Sequence, residues 1–113
     1  MEEVLRSLTR DEEKVNEFLE ALKEYDYVDT DCDPEVGVYT RYIDLREMPP
    51  VLKNGGILVD FTDSVYRFKI GYPRPRFWTI QRDFNVIFQK RSFRLNLIKL
   101  AQDIILEKIG NTE

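Results

Sequence analysis

Nine basic side chains fall between residues 67 and 99 (Arg67, Lys69, Arg74, Arg76, Arg82, Lys90, Arg91, Arg94 and Lys99), against the single acid Asp83. Interleaved with them are Tyr66, Phe68, Tyr72, Phe77, Trp78, Phe84, Phe88 and Phe93. Arginine offers a bidentate fork to carboxylate or phosphate, so the block suits an acidic or phosphorylated peptide. Cations alternating with aromatics on strands also suit single-stranded nucleic acid, with rings stacking on bases while arginines meet phosphates. A plainer reading stands beside both, because aromatics in the core and charges in water are what any one-sided sheet shows. Of the two partner classes the acidic protein or peptide is favoured, since a pI near 5.0 opposes long-range attraction to polyanions. The segment Tyr72-Pro73-Arg74-Pro75-Arg76 reads either as an ordinary stiff connection or as a rigid cationic edge whose prolines lower the cost of ordering. The expected partner-binding residues are Arg67, Lys69, Tyr72, Arg74, Arg76, Trp78, Arg82, Lys90 and Arg91.

The formal charge of −4 conceals a segregation. Residues 1–35 carry thirteen acids and four bases, whereas residues 36–113 carry eight acids and thirteen bases. A third reading of the basic block is therefore internal, with the acidic N-terminal segment folding over the basic sheet of its own chain.

Other chemistry is harder to assemble. The chain has no histidine, which removes the side chain that titrates near neutral pH and the commonest transition-metal ligand. Ser-His-Asp and Cys-His catalysis and a cysteine-histidine zinc site fall with it. Cys32 is the only cysteine, so no intrachain disulfide forms, and its neighbours Asp31 and Asp33 disfavour the reactive thiolate. Asp29, Asp31 and Asp33 imitate the start of a calcium loop, but Pro34 and Thr40 stand where that loop needs its glycine and its bidentate glutamate. The five glycines are too scattered to cradle a phosphate. The expectation is a non-enzyme with no catalytic residues, no metal and no cofactor. With no long apolar run and no basic leader before an apolar stretch, an intracellular location without membrane association is expected, cytoplasm and nucleus not being distinguished.

The elements that would position the basic block follow from periodicity. At 113 residues, 42% hydrophobic, one domain over 1–113 is the default. Thr9 and Glu12 form a capping-box pattern, and Val15, Phe18, Leu19 and Leu22 recur at helical spacing, giving a helix over 10–25. Val4, Leu5 and Leu8 form a preceding turn or extend the helix back, so the N-terminal helical region is 1–25. Residues 26–35 read as a solvated acidic linker. An antiparallel sheet then spans 36–91, with strands near 36–45, 56–62, 65–71, 76–82 and 84–90. Residues 57, 59 and 61 share the face assigned to the core. Ser92 caps a C-terminal helix over 92–110 whose apolar positions cover more than one stripe. Burial of its second face within the chain is favoured over a homodimer contact, for which Leu97, Leu100, Ile104 and Ile105 are the candidate self-association residues. The fold class is α+β: an N-terminal helix, a sheet of about five antiparallel strands or a small barrel, and a C-terminal helix.

Residues 53 to 109 resemble a polo box, the sheet-plus-helix module of polo-type kinases and related centriole and kinetochore proteins. The resemblance rests on Asn54-Gly55-Gly56-Ile57-Leu58-Val59-Asp60-Phe61-Thr62-Asp63-Ser64, on Trp78-Thr79-Ile80, and on the long apolar C-terminal segment. It covers about half the chain. It implies a protein-interaction or self-association module, but no phosphate-binding residue carries over, because the histidine that phosphopeptide-binding members use has no counterpart here. The leading expectation is a non-catalytic module for protein–protein interaction or self-association, through the basic and aromatic sheet surface and the apolar C-terminal helix. The alternative is a nucleic-acid-binding small β-barrel using residues 66–91.

Overall fold

The β-branched and aromatic runs that follow the first helices build six antiparallel strands, one more than their spacing suggests, in the computed structural model, which describes residues 1–91. After α1 (Glu2–Leu8) and α2 (Glu12–Ala21) come β1 (Tyr25–Val28), β2 (Tyr39–Asp44), β3 (Leu52–Phe61), β4 (Val65–Ile70), β5 (Arg76–Gln81) and β6 (Asn85–Lys90). A single 3₁₀ turn, Arg82–Phe84, joins β5 to β6. The spatial order is β1-β6-β2-β3-β4-β5, so the α+β sheet is open, with β1 and β5 as edges, and the alternative of a barrel is not what forms. The expected C-terminal helix over 92–110, with Leu97, Leu100, Ile104 and Ile105, lies outside the described residues.

The expected helix over 10–25 divides in two because its start carries two signals. Thr9 is extended, at φ −151° and ψ 146°, and closes α1. Its hydroxyl accepts from the Asp11 N–H at 3.2 Å, and Asp11, not Thr9, caps α2 by accepting from the Glu13 N–H at 3.0 Å. Arg6 holds the pair together by bonding both Glu2 and Glu12. The helix also stops short of residue 25. Tyr25, Asp26, Tyr27 and Val28 alternate with a two-residue period and pair with Lys90, Gln89, Phe88 and Ile87, so the presumed linker begins as a strand.

Each face of the sheet has its own core. On the helix side, Leu5, Val15, Phe18 and Leu22 pack on Ile43 and Phe88, with Tyr25, Tyr27, Leu52 and Val86 at the margin. Burying a side chain of this size contributes about 1.5–3 kcal/mol. On the other side Leu58, Tyr66, Phe68 and Ile87 are buried together, flanked by Tyr42, Phe61, Trp78 and Ile80. The ring of Tyr42 stacks on Phe68 at 5.6 Å and its hydroxyl accepts from Trp78 Nε1 at 3.2 Å.

Two irregularities in β3 decide which residues face where. Between Leu58 and Asp60 the pairing with β4 shifts by one residue. The expected core face of 57, 59 and 61 is thereby corrected: Ile57 is 37% exposed, whereas Leu58 is fully buried and Phe61 packs on the same core. A second shift, opposite Arg41, absorbs Asn54 and Gly55, which the sequence suggests as a turn. Gly55 has φ +71°, and a Cβ there would overlap the Thr40 carbonyl oxygen, so only glycine fits.

The stretch from Asp29 to Val38 carries the chain from β1 across β6 to β2. Gln89 grips it midway: its Oε1 accepts from the Glu35 N–H and its Nε2 donates to the Glu35 carbonyl, each at 2.8 Å. Gln89 sits on the face away from the helices, so the acidic segment crosses that face instead of standing off in solvent.

Candidate partner-binding site

The strand register lines up six side chains in one row on the helix-side face. Tyr25 lies opposite Lys90, and Thr40 opposite Gln89 sets Tyr39 beside Lys90 on the next strand. Tyr39 then faces Ile57, Ile57 faces Lys69, and Lys69 faces Phe77 at the β5 edge. Directly opposed residues in antiparallel strands share a face, so aromatic, apolar and lysine side chains form a transverse band. The helices cover only the β1, β6 and β2 end of this face. Beyond Tyr39 the band emerges, with Phe77 55% exposed.

Arg67 stands one rung along from Lys69 and Phe77. It pairs with Asp60 at 3.0 Å and its guanidinium lies 5.8 Å from the Phe77 ring centroid. The loop from Gly71 to Pro75 continues the surface outward, with Tyr72 exposed at 96% and Arg74 and Arg76 exposed beside it. Among the described residues no ion pair engages Lys69, Arg74 or Arg76. Lys69 and, in part, Arg67 are thus brought together with Phe77 and Ile57; Tyr72 and Arg74 lie in the loop at the β4–β5 end, and Arg76, opposite Ile70, shares the other face with Trp78 by the two-residue period.

Four other expected residues sit elsewhere. Trp78 is half-buried on the opposite face, tilted against Phe68 at 5.7 Å. Lys90 is exposed, but at the far end of the row near the helices, and Arg91 pairs with Asp26 at 2.9 Å. Arg82 is 7% exposed and its donors are committed to the carbonyls of Thr62, Thr30 and Cys32 at 2.9–3.0 Å. Its guanidinium lies 5.7 Å from the Phe61 ring and 5.3 Å from the Tyr66 ring, so it fastens the crossing segment to the sheet and offers nothing to an outside ligand. Asp31, Asp33, Asp63 and Asp83 line the same recess as Arg82, supplying countercharge to a buried cation. The acidic N-terminal segment thus engages two arginines of the basic block, Arg82 through the Thr30 and Cys32 carbonyls and Arg91 through Asp26.

The aromatics divide likewise. Tyr66, Phe68 and Phe88 are buried, and Phe84 carries Arg46 over its ring at 4.9 Å. Among the described members of the aromatic series, Tyr72 and Phe77 are left as exposed faces of the open surface.

Sequence reasoning passed over Tyr25, Tyr39, Arg41 and Asn54. These four gather with Lys90 and Ile70 around a recess of about 480 Å³. The signal was present in the two-residue spacing of Tyr25 and Tyr27 and of Tyr39 and Arg41, which puts each pair on one strand face. Burial pushes the Tyr25 hydroxyl above its ordinary range, with Arg41 pulling it back. No protein-family model, no curated protein and no solved structure matches the chain.

Proposed function

We propose that the chain is a non-catalytic binding module that receives an acidic segment of a protein partner on the half of its helix-side face that no other described residue covers. The observation that carries this is the coverage itself. Among the described residues the helices pack mainly over β1, β6 and β2, and the exposed strands beyond present Ile57 and Phe77 beside Lys69 and Arg67 on the same face, with Tyr72 and Arg74 in the loop at its edge. Apolar anchors surrounded by cations suit a ligand that brings both carboxylates and an apolar side chain. The β5 edge also leaves backbone groups to which an extended segment can add as a further strand.

Single-stranded nucleic acid is the weaker fit, because stacking needs several exposed rings in sequence and, among the described residues, this surface has two, Tyr72 and Phe77. The interaction-module reading also agrees with the polo-box resemblance. Titrating a fluorescent acidic peptide and oligonucleotides of DNA and RNA at two salt concentrations tests the assignment. Saturable peptide binding, weakened by Phe77→Ser and by Arg74→Glu with Arg76→Glu, supports it. Tight oligonucleotide binding that falls steeply with salt, with no peptide binding, overturns it.

A further inference from the structure

We infer that the recess formed by Tyr25, Tyr39, Arg41, Asn54 and Lys90 is a binding site for a small organic oxyanion, a phosphoryl or carboxylate group carried on an aromatic or apolar body. The recess draws its cations, Arg41 and Lys90, from β2 and β6, and only its apolar wall Ile70, which pairs with Arg76, adjoins the loop that carries Arg74.

The fold brings the donors together. Lys90 is flanked by Tyr25 on β1 and Tyr39 on β2, and Arg41 follows Tyr39 on the same face two residues along. The bulge at Gly55 sets Asn54 opposite Arg41. Arg41 Nε donates to the Lys53 carbonyl at 3.2 Å and a terminal nitrogen donates to Asn54 Oδ1 at 3.3 Å. Both acceptors are neutral, so they orient the guanidinium without cancelling its charge. Its other terminal nitrogen makes no hydrogen bond among the described residues, and neither Arg41 nor Lys90 has an ion-pair partner among them.

None of the acids among the described residues lines this recess. A guanidinium, an ammonium and two phenolic hydroxyls, with the Tyr25 hydroxyl held in its donor form by burial, make a donor-rich set suited to a multi-oxygen anion. Its volume of about 480 Å³ is that of a small-molecule site, larger than a bare oxyanion needs. The Tyr25 and Tyr39 rings and Ile70 supply apolar wall for the remainder of the ligand.

The test is a nuclear magnetic resonance titration of the full chain with phenyl phosphate, benzoate, inorganic phosphate and benzyl alcohol. Phenyl phosphate or benzoate should shift the resonances of Tyr25, Tyr39, Arg41 and Lys90 saturably, and whichever binds more tightly identifies the oxyanion. Inorganic phosphate should bind more weakly, and benzyl alcohol should leave the site unmoved. Arg41→Gln and Lys90→Gln should each weaken the aromatic anion roughly tenfold or more, the effect of losing one charge-assisted hydrogen bond. Because Arg41 also steadies the bulge, Lys90→Gln, which touches none of those bonds, decides the matter if Arg41→Gln disturbs the fold. No saturable shift with either aromatic anion, equal binding of the alcohol, or unchanged affinity in Lys90→Gln would overturn the assignment.

Discussion

On β1, β6 and β2 the sheet is dressed on both sides, by α1 and α2 on one face and by the crossing acidic segment on the other; on β3, beyond Leu52, and on β4 and β5 the helix-side face has no cover among the described residues. The two halves are cut from similar material, since Phe88 and Phe77 each sit among basic neighbours in sequence. One is fully buried beneath a helix and the other 55% exposed at an edge. Residue type alone therefore says little about role here, and coverage by a distant part of the chain says much. Stability should concentrate in the dressed half and recognition in the bare one.

The largest effect expected from this contrast is that of Phe88→Ala, which opens a cavity between the helices and the sheet and should cost about 3–5 kcal/mol in denaturant unfolding. Arg82→Met should follow at about 2 kcal/mol, because three backbone carbonyls lose a charged donor at once. Hydrogen exchange of residues 29–38 should rise in the same variant. Unchanged exchange there would show that Arg82 does not fasten the crossing segment. Tyr66→Phe should raise stability by up to about 1 kcal/mol, since its buried hydroxyl finds no hydrogen-bond partner among the described residues. Phe77→Ser should alter stability by less than about 0.5 kcal/mol while weakening partner binding. A loss like that of Phe88→Ala would erase the distinction between the halves.

The smallest effect concerns acid. The Arg46 guanidinium holds the Asp44 carboxyl below its ordinary range. A carboxyl lowered in the folded state adds stability above the unfolded value, about pH 4, and loses it as pH falls through the folded one. Arg46 is largely in solvent, so the contribution is well under 1 kcal/mol, and Asp44→Asn should flatten only that part of the acid limb.

The alternation of Tyr66, Arg67, Phe68 and Lys69 was legible in the sequence, as were the Thr62–Ser64 turn and the reversal at Arg82 and Asp83, because each is set by neighbours. What the sequence hid depends on partners far along the chain. Tyr25–Val28 becomes a strand only because Ile87–Lys90 lies beside it, and an acidic context made it look like linker. The bulge after Leu58 puts Ile57 and Phe61, expected on one core face, on opposite faces and leaves only Phe61 against the core, a shift no two-residue period announces. Arg82 looked like its eight basic companions, and only tertiary burial sets it apart. The donors of the oxyanion recess come from four strands, β1, β2, β3 and β6, which no local motif can encode.

The pairing of β1 with β6 also bears on how the molecule is made. Tyr25 waits for Lys90, and the apolar stripe of α2, although it also meets Ile43, waits for Phe88, so these N-terminal elements lack part of their packing until the last described strand has emerged. The hairpins of β3, β4 and β5 can form alone, from contacts close in sequence. Closing the long loop between the ends comes afterwards and should make folding slow for a chain of this length. During translation the half that carries recognition would take shape first, and the half that carries stability would lock it in at the end.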